Sequence, residues 1–104
     1  MNDMVFSSIS GKKTALVLDQ QDNVGVALTD LAAGDVCNVV EDNGTEDEVT
    51  VIDSIPFGHK FALLDLSKDQ AVFKYGEEIG KMKENIQKGG WIHNHNMYCD
   101  RGMK

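Results

Sequence analysis

Residues 36–52 read Val-Cys-Asn-Val-Val-Glu-Asp-Asn-Gly-Thr-Glu-Asp-Glu-Val-Thr-Val-Ile. Two runs rich in β-branched residues, 36–40 and 49–52, flank a polar tip that contains Asn43-Gly44. β-Branched side chains fit a pleated strand. Asn-Gly tolerates the positive φ that both central residues of a tight two-residue turn require. The stretch therefore predicts a β-hairpin closed at Asn43-Gly44. Its tip also carries Glu41, Asp42, Glu46, Asp47 and Glu48. These carboxylates lack the alternating spacing before a fixed glycine that a calcium loop needs, so they read as a solvated tip.

The same grammar extends outward. Residues 14–18 and 24–28 are short apolar runs on either side of Asp19-Gln20-Gln21-Asp22-Asn23, and they read as paired strands. Gly25 inside the second run marks a bulge or a close approach. Residues 61–66 and 71–75 are further strand candidates, and Ile55-Pro56-Phe57-Gly58-His59-Lys60 is a sharp bend with His59 and Lys60 at its exit. Ala27-Leu28-Thr29-Asp30-Leu31 recurs as Ala62-Leu63-Leu64-Asp65-Leu66, with a looser third variant at Ile86-Gln87-Lys88-Gly89-Gly90-Trp91. Short turns feeding strands, reused around a small core, describe an all-β domain better than a solenoid. One segment breaks the pattern: Ile79, Met82 and Ile86 have helical spacing, which allows at most one or two helical turns near residues 82–88.

A chain of 104 residues with 41% hydrophobic content is one domain with a modest core. We expect a loosely held segment over 1–13, the folded unit over 14–97 and a polar tail over 98–104. The net charge of -7 argues against nucleic acid or an anionic membrane as partner. Neither a spanning run nor a signal peptide is legible. Cys37 and Cys99 do not make a disulfide framework, which points to a cytoplasmic setting.

Chemistry is concentrated in Trp91-Ile92-His93-Asn94-His95-Asn96. If the stretch is extended, Trp91, His93 and His95 share one face, and two imidazoles so placed can reach one metal ion or one anion. Lys60 beside His59, together with His93 and His95, is the one cationic cluster that the sequence assembles. Simpler roles compete: a bend histidine bonded to backbone for His59, a solvated charge for Lys60, core packing for Trp91.

Four motifs occur in order: Asp22-Asn23-Val24-Gly25-Val26-Ala27-Leu28, Ile55-Pro56-Phe57-Gly58-His59-Lys60, Lys74-Tyr75-Gly76-Glu77-Glu78-Ile79-Gly80 and Trp91-Ile92-His93-Asn94-His95-Asn96. Together they resemble the SAF-type domain of the altronate and galactarate dehydratase family, which includes the small subunit of sulfolactate sulfo-lyase. The resemblance implies a small β-clip fold and an association with enzymes that eliminate water or sulfite from 2-hydroxy acids. It implies a small subunit or N-terminal domain that works with a larger catalytic chain, with self-association left open, and a sugar-acid substrate yielding a 2-keto-3-deoxy acid. A non-catalytic carbohydrate-binding or assembly module is the competing reading.

Such an elimination removes a weakly acidic proton next to a carboxylate, so the developing enediolate needs strong stabilisation, usually by a divalent cation of the iron or manganese type. On this reading His59 and Lys60 are the catalytic candidates. Lys60, Asn94 and Asn96 would contact substrate, and His93, His95 and His59 would hold the metal.

Overall fold

The computed structural model describes residues 13–99; all of the expected loose segment but Lys13, and most of the polar tail, lie outside them. Nine strands are formed: β1 (Lys13–Val17), β2 (Val24–Ala27), β3 (Val36–Glu41), β4 (Glu46–Thr50), β5 (Lys60–Ala62), β6 (Ala71–Lys74), β7 (Glu77–Met82), β8 (Trp91–Ile92) and β9 (Met97–Tyr98). They make a six-stranded sheet in the order β4-β3-β1-β2-β5-β8 and a three-stranded sheet in the order β6-β7-β9. The expected all-β class is what the chain adopts, and none of the described residues is helical.

Alternation is legible strand by strand. In β1, Ala15 and Val17 are buried, and in β3 Cys37 and Val39 are. These side chains build one core cluster with Ala27, Leu31, Val49, Val51, Ile55 and Phe61. A second cluster joins Val24, Ala62, Leu66, Val72, Met82 and Ile92. Phe61 heads the fully buried side chains by volume, and burial of an aromatic ring of that size is worth about 1.5–3 kcal/mol. Gly25 lies against it: a Cβ there would meet Phe61 Cζ at 3.2 Å and Leu63 Cδ2 at 3.3 Å. This is the close approach that a glycine in a strand announces.

The internal echo has a physical basis. Leu31 and Ile55 exchange backbone hydrogen bonds of 2.8 and 2.9 Å, and Leu66 and Ile86 exchange bonds of 2.9 and 2.8 Å. Each of these four residues opens a turn whose fourth member has positive φ: Gly34, Gly58, Asp69 and Gly89. Asp30 Oδ1 accepts the Phe57 N–H at 2.8 Å, and Asp65 Oδ1 accepts the Lys88 N–H at 2.8 Å. The recurring Asp is therefore a clamp: in each half it holds the turn opposite its own. Two halves built this way wrap the two core clusters.

Two expectations need correction, and the helical spacing forms no helix, within the bound of at most one or two turns. Ile79, Met82 and Ile86 do not share a helix, because β7 pairs with β6 and β9 and Ile86 sits in the bridging turn opposite Leu66. They look helically spaced because all three pack on the second core, Met82 from within it and the others against it, from a strand and a turn. The Asn43-Gly44 hairpin exists, but only Gly44 has positive φ, and Glu41 N donates to Thr45 O at 2.8 Å around a three-residue loop. The two-residue turn with positive φ at both positions is Tyr75-Gly76, between Lys74 and Glu77. A tyrosine pays about 1–2 kcal/mol there. Asp22 offsets that cost by accepting the Tyr75 and Gly76 N–H groups at 3.1 and 2.8 Å. Finally, the folded unit does not end at Met97: β9 pairs both Met97 and Tyr98 with β7, and Tyr98 Oη donates to Asp69 Oδ1 at 2.8 Å.

Asn23 ties the two sheets. Its amide donates to Ala71 O at 2.9 Å and its carbonyl accepts from Phe73 N at 2.8 Å, as a strand residue would. Asn23→Ala leaves both β6 groups without these partners and should cost about 1–3 kcal/mol for each group left unsatisfied. Asp42→Ala at the exposed hairpin tip should stay within about 0.5 kcal/mol. Urea unfolding of the two variants measures the contrast.

Cys37 is fully buried, and burial, reinforced by the charge of Asp35, pushes its thiol up to about 11 from 9.0. A raised pKa means the folded state holds the proton longer. Its contribution is therefore complete below about pH 9 and is lost as pH rises through about 11. Folded protein treated with iodoacetamide at pH 8 should react at exposed Cys99 and spare Cys37 until denatured.

Candidate functional site

The site forms where β5 and β8 end together. These strands pair Lys60 with Ile92 and Phe61 with Trp91. Continued one step, that register sets His59 opposite His93, and their ring centroids are 4.7 Å apart. The bend before β5 delivers His59 as the sequence predicts, with His59 N donating to Pro56 O at 2.9 Å and Gly58 N to Ala27 O at 2.8 Å. Gly58, His59, Lys60, Lys74 and His93 line a cleft of about 200 Å³.

Trp91 lies among all three histidines. Its ring stacks on His93 at 5.7 Å and 9°, and is tilted against His59 at 5.7 Å and His95 at 4.9 Å. Its indole N–H donates to His59 Nδ1 at 3.3 Å. Its body packs on the first core, so the expected packing role holds, with a polar contact added. The backbone N–H of Trp91 is held by Asp53 Oδ2 at 2.9 Å, a residue that no sequence motif flagged.

The extended reading of residues 91–96 holds only to Ile92. Beyond it the chain turns, with Asn96 N donating to His93 O at 3.1 Å. Asn96 pins that turn: its Oδ1 accepts from His93 N at 2.9 Å and its Nδ2 donates to Trp91 O at 2.8 Å. At 4% exposure, with both amide atoms engaged, Asn96 holds the turn that carries the histidines and is not part of the cleft lining. Asn94 is exposed and lends its backbone carbonyl to Lys83 Nζ at 3.1 Å. His95 reaches Trp91 through the turn rather than by strand alternation. The three imidazoles thus surround an indole without converging on a point. Among the described residues no group of three or more His, Cys, Asp or Glu side chains is placed to hold a metal ion. The expected triad of His59, His93 and His95 therefore does not fit a metal ion as one ligand set within this chain.

Lys74 opens the third sequence motif but carries no sign of a place in the site, because it lies on the second sheet. Asn23 and Asp22 fasten β6 and its turn to the first sheet, and so bring Lys74 to the cleft. Its ammonium lies 5.0 Å from the Tyr75 ring centroid. Burial, and then the charge of Lys74, hold the Lys60 pKa below its ordinary value. His93 is also held low, by desolvation first and then by His59, Lys60 and His95. Ion pairs among the described residues are Lys13 with Asp35 and Lys81 with Glu78, and neither cleft lysine has one. The chain is rich in acidic residues, yet two cations share a cleft with no carboxylate of the described residues paired to them. Such a pair is suited to an anion from outside.

A compact two-sheet all-β domain with a cationic, histidine-rich cleft defines the class. The sequence model of the altronate/galactarate dehydratase SAF domain matches residues 13–100, and the chain belongs to that family. It is 36% identical over 88 residues to the alpha subunit of (2R)-sulfolactate sulfo-lyase from Chromohalobacter salexigens, covering 83% of this chain and 94% of that one. It is 47% identical over 75 residues to altronate dehydratase from Escherichia coli, covering 72% of this chain but 14% of that enzyme. The Paracoccus pantotrophus sulfo-lyase alpha subunit is 43% identical over 66 residues, 64% of this chain and 97% of that one.

Asn96→Ala should release the turn and cost about 1–3 kcal/mol through the unpaired His93 N–H and Trp91 carbonyl. The expected signature is loss of stability together with shifted His93 and Trp91 side-chain resonances. Unchanged resonances would show that the cluster is held by something else.

Proposed function

We propose that this chain is the small component of a lyase acting on 2-hydroxy-acid anions, and that its cleft forms one wall of a substrate site completed by a larger catalytic chain. The observation that carries this reading is the unpaired Lys60–Lys74 couple beside His59 and His93 in a chain of net charge -7. A carboxylate in the cleft would relieve the repulsion between the two ammonium groups. Lys60 and His59 would then face the oxygens on which negative charge develops when the neighbouring proton is removed. On this reading the chain contributes anion binding, and proton abstraction falls to the larger chain. A divalent ion of the iron or manganese type would add charge stabilisation in the complete enzyme, and its shell would come mainly from that larger chain.

The leading substrate class is a sugar acid of the altronate or galactarate type, dehydrated to a 2-keto-3-deoxy acid. A second reading is the small subunit of a sulfolactate sulfo-lyase. It is favoured by the reach of the match, which takes in 94% and 97% of two such alpha subunits against 14% of an altronate dehydratase.

Reconstitution with a large catalytic chain of this family from the same genome tests both. The small chain alone should turn over nothing. The complex should form keto acid from altronate or galactarate, or release sulfite from sulfolactate, and the product decides between the two. Robust turnover by the small chain alone, or a stable complex inert on all three, would overturn the proposal.

A further inference from the structure

The contact between Trp91 and His59 has a consequence for the chemistry of the cleft. A neutral imidazole carries one proton on one of two nitrogens, and the partner of the first nitrogen decides which. Here the partner is the indole N–H, a group that can only donate, and it meets His59 Nδ1 at 3.3 Å. Nδ1 must therefore offer its lone pair, and the proton belongs on Nε2. The donor is itself well held: Asp53 binds the Trp91 N–H at 2.9 Å, Asn96 binds the Trp91 carbonyl at 2.8 Å, and the indole packs on the first core.

We propose that Trp91 is a positioning residue that fixes His59 as an Nε2–H hydrogen-bond donor to a substrate carboxylate, and thereby removes it from the set of metal ligands. A metal-binding imidazole needs a free lone pair, and His59 has none to spare: Nδ1 is engaged by Trp91 and Nε2 carries the proton. The outcome is a division of labour between two rings 4.7 Å apart. His59 donates beside the ammonium groups of Lys60 and Lys74, while no indole N–H occupies a nitrogen of His93. The proposal also accounts for the failure of the three histidines to converge as ligands. It rests on the anion-binding reading of the cleft, but the protonation pattern of His59 stands apart from any partner or turnover.

Two measurements on the 104-residue chain test it. The first is long-range proton–nitrogen correlation on nitrogen-15-labelled protein at neutral pH, with the His59 signals assigned by their absence in His59→Gln. His59 should show the pure Nε2–H pattern, and Trp91→Phe should convert it to an averaged mixture of tautomers while the amide spectrum reports an intact fold. A mixed or Nδ1–H pattern in the unsubstituted chain overturns the proposal, whether or not the Trp91 variant folds. The second is titration with malate as a simple 2-hydroxy carboxylate. It should move the His59 Nε2–H signal, and His59→Gln should weaken malate binding by about tenfold, the scale of one charge-assisted hydrogen bond. Zinc added as a metal probe should leave the His59 signals in place. A fixed Nε2–H tautomer that malate leaves unmoved sinks the donor role, and zinc-induced shifts at His59 sink the claim that it is no ligand. Failure of the reconstituted enzyme to act on hydroxy acids would count against the functional reading and leave the tautomer result standing.

Discussion

The amide of Asn23 bonds β6 in both directions, and the cleft depends on it. One side chain substitutes for a missing strand residue, taking the Phe73 N–H and giving its own to the Ala71 carbonyl. Beside it, Asp22 holds the strained Tyr75-Gly76 turn. Together they fix the second sheet against the first, and so set the distance from Lys74 to Lys60. Without that fastening the two lysines would move apart, as like charges do, and the cleft would lose its field. The motif residues Asp22 and Asn23 thus shape the cleft at one remove, through the position of a strand.

Stability and chemistry are divided cleanly across this small domain. The two apolar clusters and the four bridged turns carry the fold, and the strand ends that emerge from them carry the polar groups. Trp91 belongs to both. Its ring is anchored on the first core while its N–H is spent on His59. A side chain with an apolar body and one polar handle is suited to such a junction. The same logic applies to Asn96, buried so that it can satisfy Trp91 and His93 at once.

Charge explains why the cleft stands out. The chain as a whole repels anions, and its exposed hairpin between β3 and β4 is dense in carboxylates. Against that background, two lysines held together without counter-ions cost energy that an incoming carboxylate returns. Under the proposed function, a domain supplying a cationic wall would need little else from its own residues, provided that another chain supplied the rest of the site. That division matches the family, in which the same domain makes up nearly all of a sulfo-lyase alpha subunit and a small fraction of an altronate dehydratase.

The sequence by itself determined the all-β class, the strand pairs around residues 14–28 and 36–52, and the delivery of His59 by the Pro56-Gly58 bend. These are local matters, set by alternation, β-branching and turn residues within a few positions of one another. It also exposed the echo of Asp30 and Asp65, although their purpose was not readable, since each Asp clamps a turn more than twenty positions away. Tertiary structure decided the rest. It turned a helical spacing at Ile79, Met82 and Ile86 into a strand and a turn, because one core can collect side chains from elements with different periods. It moved the two-residue turn from Asn43-Gly44 to Tyr75-Gly76, because Asp22 offsets the cost that tyrosine incurs there. It brought Lys74 beside Lys60 and set Trp91 against His59, neither of which has any signal in spacing. Contacts between distant strands follow from sheet register and from the side chains that bolt one sheet to another, and neither is written in any single stretch of the chain.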